Sequence, residues 1–204
     1  ERMPGVKIAV SEVSGAGLNS VYEDQLLDAC DVYLDFTTNH EVNWIYNNKD
    51  WYENWDIVKN STEILCFGTA IKQCQEAKIF DGYDRVFKVS GRYLLNDQFD
   101  PDYYDTVPNK IVIGRRHNSQ FPEHLTTQPW QYMARLWSWP TSRLDEVIKV
   151  YEDSLVFFAE RLSNGGYVDI EHVLYKFLDP AKVHEIQNVG VEGQIAPTGQ
   201  AIKN

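Results

Sequence analysis

The stretch DRVFKVSGRY at residues 84–93 decides how this chain is interpreted. Residues 85–89 form a short apolar run, which predicts a buried strand, and a Ser-Gly turn follows it. The next two side chains are a cation, Arg92, and a phenol, Tyr93. Because ligands of open α/β sheets bind beyond the carboxyl ends of the strands, this turn is a candidate binding site.

Two residues of the turn suit an anionic ligand. Gly91 has no side chain, so a backbone or a ligand can approach it closely. Arg92 offers a planar fork of donors that matches a phosphate or a carboxylate. The alternative is a purely structural turn in which Arg92 forms an internal ion pair.

Strand-like and helix-like segments alternate through the first two thirds of the chain, which predicts an α/β fold with a mostly parallel sheet flanked by helices. Asn60 with Glu63 resembles a capping box that starts a helix, and the apolar stripe of residues 142–162 predicts the longest one. Asp169 is predicted to cap a further helix. In this α-then-β arrangement, residues 84–89 are expected to form a central strand.

Composition limits the possible functions. The 204 residues carry 19 Lys and Arg against 30 Asp and Glu, a formal net charge of −11. A charge of this sign excludes a general nucleic-acid binder and argues against an electrostatic membrane anchor. No apolar run reaches the roughly 20 residues of a transmembrane helix, and no signal peptide is recognisable.

The size and the cysteines add to this interpretation. The length fits one domain over residues 1–204, and a start at Glu1 leaves open an additional N-terminal piece. Cys30, Cys66 and Cys74 give no disulfide framework and are expected to be free thiols in a reducing compartment. We therefore expect a cytoplasmic protein; that the cell is a bacterium or an infected host is implied only by the resemblance given below.

Two charged clusters are further candidates. Arg115 and Arg116 follow a predicted strand and can neutralise phosphate oxygens, unless they form only an exposed basic turn. Asp100 and Asp102 flank a proline in a DxD arrangement, which can hold Mn²⁺ or Mg²⁺ against a diphosphate. The alternative for the second cluster is a solvated acidic loop.

Aromatic residues interleave with amides and acids over residues 44–55. Trp51 and Trp55 can stack on sugar rings, and the neighbouring polar side chains can bind the hydroxyl groups. The alternative is a loop whose aromatic side chains only pin it to the body of the protein.

Two motifs carry a resemblance to a known family. Residues 85–95 read RVFKVSGRYLL and residues 191–199 read VEGQIAPTG, and both occur in the expected order. They resemble a family of small bacterial and phage proteins that looks like a compact variant of the A-type glycosyltransferases, the nucleotide-diphospho-sugar transferases. The resemblance implies a nucleotide-sugar donor and a saccharide acceptor. Family members lack a clear DxD at the point where the Ser-Gly-Arg-Tyr turn lies.

The implied reaction assigns roles to particular residues. Glu192 is the first choice for the base that activates the acceptor hydroxyl, with Asp84 or Asp97 second. The tail is predicted to fold over the carboxyl ends of the strands and bring Glu192 near the turn; the alternative is an edge strand with Glu192 in solvent. The predicted substrate-binding residues are Lys88, Ser90, Gly91, Arg92, Tyr93, Arg115, Arg116, Trp51 and Trp55.

Two rival functions stay open at this point. One is a non-catalytic nucleotide- or saccharide-binding protein with the same fold. The other is a structural phage or cell-surface protein, in which the aromatic segment would be an interface.

Overall fold

The computed structural model describes residues 5–13, 20–48, 55–195 and 199–203. Helices and strands alternate along these ranges, so the predicted α/β class is confirmed. The chain divides into two compact units, Glu1–Glu76 and Ala77–Asn204.

The first unit contains two strands and three helices. They are β1 (Ala9–Glu12), α1 (Ser20–Ala29), β2 (Val32–Asp35), α2 (His40–Asn47) and α3 (Trp55–Glu76). The two strands are parallel, with Ala9 opposite Val32. The helices α2 and α3 pack together, and the buried cluster of this unit consists of Phe36, Val42, Cys66 and Ala70.

Asn60 does not cap a helix, so that prediction is wrong. It lies inside α3 with 1% of its surface exposed, and its Nδ2 donates to the Asp56 carbonyl oxygen at 2.8 Å. Thr62 Oγ1 donates in the same way to the Val58 carbonyl oxygen at 2.8 Å. Because such side chains can satisfy themselves on the preceding turn, a polar Asn-Ser-Thr run continues the helix instead of starting it.

The aromatic segment contains a helix that the sequence did not predict. The Asn39 side chain caps α2 by accepting from the Val42 backbone amide, and Val42 is fully buried. Trp51 lies outside the described residues. Trp55 is the first residue of α3, and its side chain is not described.

The second unit contains a four-stranded sheet with the order β3-β6-β5-β7. Its strands are β3 (Arg85–Val89), β5 (Ile111–Asn118), β6 (Trp130–Pro140) and β7 (Val183–Ile186). The strand β6 is antiparallel to both of its neighbours, whereas β5 and β7 are parallel. The expected mostly parallel sheet is therefore wrong, and the sheet is mixed.

The connection from β5 to β6 explains the reversal. Residues 119–129 hold only the four-residue helix α4 (Glu123–Thr126). A parallel neighbour needs a crossover of a dozen or more residues, usually with a full helix. The short connection instead returns the chain as an antiparallel strand.

The expected central position of residues 84–89 is also wrong. Within this sheet β3 pairs with β6 alone and forms an edge. Side chains of β3 alternate between the two faces, so that Lys88 is buried while Phe87 and Val89 are 38% exposed. A short apolar run looks the same in the sequence at an edge as at the centre.

Two helices of the second unit follow the predicted pattern. They are α5 (Leu144–Ser163) and α6 (Ile170–Phe177), and α6 packs against both α5 and β6. Asp169 caps α6, since its Oδ1 accepts from the His172 backbone amide at 3.1 Å.

No helix in the described part of the chain combines the length and the apolar character that crossing a bilayer requires.

A second, smaller sheet has the order β4-β8-β9. It consists of β4 (Tyr93–Leu95), β8 (Val191–Ile195) and β9 (Gln200–Lys203), and both pairs are antiparallel.

The three cysteines are free, as predicted, and Cys66 and Cys74 are buried. Burial raises the pKa of the Cys66 thiol to about 12, so this thiol stays protonated at neutral pH.

Candidate functional site

Two strands of the four-stranded sheet, β3 and β7, stop at the same end of the sheet, and β5 continues past them from Gly114 to Asn118. Since β6 is antiparallel to both neighbours and β5 is parallel to β7, the strands β3, β5 and β7 all run in the same direction. The Ser-Gly turn follows β3, residues 187–190 follow β7, and Gly114 of β5 lies opposite the last residue of β7. Ligands of α/β sheets bind at such an edge.

One hydrophobic cluster holds this edge together. Tyr93, Leu136, Val189 and Val191 are its buried members, and Phe99, Ile186 and Ile202 pack against it. The cluster joins the residue after the Ser-Gly-Arg turn to the segment after β7 and to the tail. The positions of these three segments are therefore fixed by packing rather than by loop contacts alone.

The C-terminal tail returns to the segment after the turn as predicted, but it does so as a strand with Glu192 partly in solvent, as in part of the alternative. Strand β8 pairs with β4 so that Glu192 lies opposite Leu94 and Gly193 lies opposite Tyr93. The backbones are close: a Cβ on Gly193 would lie 2.4 Å from the Arg92 carbonyl oxygen. The Glu192 side chain is about half exposed, and its role as a base stays a prediction.

Lys203 brings two predicted bases together. Its Nζ lies 2.9 Å from Asp97 Oδ1 and 3.9 Å from Glu192 Oε2. The hydrogen bond from Lys203, and then its charge, hold the pKa of the Asp97 carboxyl below its usual value. The same contact raises the pKa of Lys203. The three side chains form an exposed carboxylate–ammonium–carboxylate group beside the turn.

The predicted binding residues of the turn have different environments. Lys88 is 7% exposed, and its Nζ donates to Ser90 Oγ at 2.9 Å. Arg92 and Gly91 are exposed, and a Cβ on Gly91 would meet no atom within 4 Å. Tyr93 is 9% exposed and lies under the Arg135 guanidinium at 5.6 Å, so it packs in the cluster. Arg92 is the cation that the turn presents to solvent.

Arg115 and Arg116 lie inside β5, so the prediction that they follow a strand is wrong, and they stand just beyond the level at which β7 ends. Arg116 Nε lies 3.4 Å from Glu185 Oε1, and Arg115 Nη1 donates to Gln187 Oε1 at 3.5 Å. The register of β5 against β6 shifts between Gly114 and His117, which marks a bulge at the two arginines. Bulges commonly redirect side chains near functional sites.

Asp84 lies away from this edge. It precedes β3, and its carbonyl oxygen accepts from the Thr141 backbone amide at 2.9 Å. The five residues of β3, at about 3.3 Å each, separate Asp84 from the turn by about 16 Å. The structure therefore brings Glu192 and Asp97 to the turn, but not Asp84.

The DxD arrangement forms the start of a short 3₁₀ helix, Pro101–Thr106. Asp100 Oδ1 accepts from the backbone amides of Asp102 and Tyr103 at 3.0 and 3.4 Å. Both carboxylates are exposed. Within the described ranges no group of three or more His, Cys, Asp or Glu side chains has metal-binding geometry.

An open cleft of about 520 Å³ lies at the end of β7. Its walls come from the last residues of β7, from the segment that follows β7, and from the stretch that follows β4. They are Gln98, Asp100, Tyr103, Tyr104, His184, Glu185, Ile186, Gln187, Asn188 and Val189. Apart from Asp100, none of these residues was predicted from the sequence to belong to a site. Their amide and phenol side chains are far apart in the sequence, and they come together only in the folded chain.

The cleft lies next to both groups of predicted site residues. The wall residue Gln187 accepts from Arg115, and Glu185 pairs with Arg116. The wall residue Gln98 directly follows Asp97 in the chain. A ligand in the cleft is therefore near cations and near carboxylates.

A buried Ser-His-Asp chain lies outside this edge cleft. Ser119 Oγ lies 2.8 Å from His172 Nε2, and His172 Nδ1 bonds to Asp169 Oδ1. The Ser119 hydroxyl, however, donates to the Phe121 carbonyl oxygen at 2.6 Å, and His172 is completely buried. Because a hydroxyl has one proton, Ser119 is not primed as a nucleophile in this arrangement.

The backbone amides near Ser119 support the same conclusion. The Gln120 amide donates to Gln131 Oε1 at 2.7 Å, and the Phe121 amide donates to Ser119 Oγ at 3.1 Å. Neither amide is free to stabilise an oxyanion. The chain of bonds therefore links the loop after β5 to the start of α6 as a structural element.

Comparison with known proteins returns no match: no protein-family model, no curated protein and no solved structure matches this chain.

Proposed function

We propose that the chain is a glycosyltransferase that moves a sugar from a nucleotide-sugar donor to a saccharide acceptor. The observation that carries the proposal is the pairing of β4 with β8. In this pairing Glu192 is opposite Leu94, two residues after Arg92, and Lys203 contacts both Glu192 and Asp97. A candidate base thus lies on the strand that pairs with the segment directly after the candidate phosphate-binding cation.

The donor diphosphate requires a local positive charge, because the chain as a whole has a formal charge of −11. Arg92 is exposed at the turn, and Arg115 is exposed at the bulge of β5. Guanidinium groups bind phosphate oxygens in bidentate geometry. In the proposed site these two side chains bind the diphosphate, while Lys88 holds Ser90 in place.

The proposed reaction is a displacement at the anomeric carbon of the donor sugar. The acceptor oxygen forms a bond to this carbon, and the bond from the carbon to the diphosphate oxygen breaks. The leaving diphosphate takes the electron pair, and the arginines stabilise its charge. Glu192 takes the proton of the acceptor hydroxyl, with Asp97 as the second choice.

A divalent cation is part of the proposal only as a partner of the diphosphate. Mg²⁺ is commonly bound by one or two carboxylates together with substrate phosphates. Asp100 and Asp102 are exposed and supply oxygens of the required kind, although Asp100 Oδ1 already caps the 3₁₀ helix. Mn²⁺ or Mg²⁺ held there would neutralise charge on the leaving group.

A second candidate, a non-catalytic nucleotide- or saccharide-binding protein, is favoured by one observation. The Lys203 ammonium contacts both Asp97 and Glu192. An adjacent cation stabilises a carboxylate in its charged form, and this makes it a weaker proton acceptor. Binding without turnover would support this candidate.

The test is a transfer assay with a panel of nucleotide sugars and a mixture of oligosaccharides, with and without Mn²⁺. The measured quantity is the release of nucleoside diphosphate. We expect Arg92→Gln to weaken donor binding at least tenfold, because a charge-assisted bidentate contact is lost. The matched control Lys149→Gln removes another exposed cation, from α5, and leaves donor binding unchanged.

Two outcomes decide between the candidates. Release of diphosphate that requires the acceptor supports the glycosyltransferase. Saturable nucleotide binding that depends on Arg92, without any release, supports the binding protein. Equal binding by both variants contradicts a donor site at the turn.

A further inference from the structure

The cleft at the end of β7 has the chemistry of a saccharide site. Three amide side chains, those of Gln98, Gln187 and Asn188, form part of its walls. The carbonyl oxygens of all three amides already accept hydrogen bonds within the protein, and their remaining N–H groups can donate to the hydroxyl oxygens of a sugar ring. Tyr103 adds an aromatic ring and a phenol that contacts His184 Nε2 at 2.7 Å.

The charges of the cleft select against an anionic ligand. Asp100 and Glu185 are the charged side chains among its described wall residues. Arg116 neutralises Glu185, but the exposed Asp100 carboxylate stays in the wall. A second phosphate or carboxylate at this position would be repelled by Asp100. A neutral ligand can instead donate hydrogen bonds from its hydroxyl groups to the carboxylates.

Two wall residues are held in place by neighbouring groups. Asn188 Nδ2 donates to Gln98 Oε1, and Asn188 Oδ1 accepts from the Gly190 backbone amide at 3.1 Å. The buried side chain of Val189 anchors the same segment in the hydrophobic cluster. The wall is thus held together before any ligand binds, which lowers the entropy cost of binding.

From these contacts we propose that the cleft binds a neutral oligosaccharide. The identification of this oligosaccharide as the acceptor rests on the proposed function. The binding of the oligosaccharide to the cleft does not depend on it. The cleft is adjacent to the diphosphate site at Arg115 and to the candidate bases at Asp97. An acceptor bound there contacts Gln187, which accepts from Arg115, and Gln98, which directly follows Asp97.

The test uses saturation-transfer NMR with four neutral hexasaccharides: maltohexaose, cellohexaose, chitohexaose and laminarihexaose. Oligogalacturonate of the same length is the anionic comparison. The variant combines Gln98→Ala with Gln187→Ala, two exposed side chains whose removal leaves the packed cluster intact. The control Gln73→Ala is an exposed amide on α3. UDP and GDP titrations of the same samples test the donor site separately.

We expect at least one neutral hexasaccharide to bind saturably in the millimolar range. The double variant should weaken this binding at least tenfold, since two hydrogen bonds are lost, and the control should not. Oligogalacturonate should bind more weakly than the neutral sugar. Absence of neutral-sugar binding, tighter binding of oligogalacturonate, or equal binding by the double variant overturns the proposal. Nucleotide binding without sugar binding overturns only this inference, and the reverse result overturns only the donor site.

Discussion

Leu94 and Glu192 lie directly opposite each other in the antiparallel pair of β4 and β8. This relationship joins the segment after the Ser-Gly-Arg turn to the C-terminal tail. It also places Glu192 on the strand next to β9, where Lys203 is its direct partner in register. The candidate base thereby lies on the strand that pairs with the residues directly after Arg92.

The first prediction concerns Glu192. We expect Glu192→Gln to abolish sugar transfer and to leave nucleotide binding intact, because the amide keeps the shape but does not accept the proton. Diphosphate release and nucleotide titration on the same sample measure both effects. Glu160→Gln, an exposed change on α5, is the control and should retain full activity. Unchanged turnover in Glu192→Gln would show that Glu192 is not the base, and Asp97 would then be the next candidate.

The second prediction concerns the ammonium of Lys203. Its removal in Lys203→Met should raise the pKa of Asp97 toward its ordinary value of 3.8. Because the pKa of Asp97 is lowered in the folded state, the stabilisation by this pair is present above pH 3.8 and is lost as the pH falls through the folded-state value. Carboxyl ¹³C NMR titration measures the shift.

A matched change provides the control for the Asp97 titration. Lys149 pairs with Asp153 on α5, so Lys149→Met should leave the pKa of Asp97 unchanged. Identical Asp97 titration curves in the wild-type protein and in Lys203→Met would show that the contact does not form in solution.

The third prediction concerns the close approach of β8 to the turn. A Cβ on Gly193 would lie 2.4 Å from the Arg92 carbonyl oxygen and 2.7 Å from Tyr93 Cδ1. We expect Gly193→Ala to destabilise the protein by about 1–3 kcal/mol, because the backbone must shift. Gly91→Ala meets no atom within 4 Å and should keep its stability. Urea denaturation compares the two, and equal stabilities would contradict the pairing.

The fourth prediction concerns the buried Ser119–His172–Asp169 chain. We expect Ser119→Ala to lower the stability by about 1–3 kcal/mol, because His172 Nε2 loses its partner in a buried site. Sugar transfer and nucleotide binding should not change. Esterase activity that is present in the wild-type protein and absent from Ser119→Ala would contradict the structural role.

Local structure was predictable where one segment contains its own signal. The apolar stripe of α5 and the Asp169 cap of α6 are read directly from spacing and side-chain chemistry. The Asn60 cap failed because amide and hydroxyl groups can bond to the preceding turn as well as to the following one. The helix α2 was also not predicted from the aromatic segment, because its stability depends on the burial of Val42 in the folded protein.

Long-range relationships were predictable only in part. The apolar residues of the tail correctly indicated that it packs against the body near the turn. The direction of β6 and the edge position of β3 depend on connection lengths and pairing partners, which a local apolar run does not specify. The cleft was not predicted, because its walls combine residues 98–104 with residues 184–189, and these two segments meet only in the folded chain.

The most direct test of the central claim is backbone amide chemical-shift mapping with UDP and GDP. The account predicts saturable shifts at Ser90, Gly91 and Arg92 and in residues 114–116, and it predicts that Arg92→Gln reduces the affinity at least tenfold. Saturable shifts confined to other parts of the chain, or no shifts at millimolar nucleotide, would contradict a donor site at the end of the sheet where β3 and β7 stop.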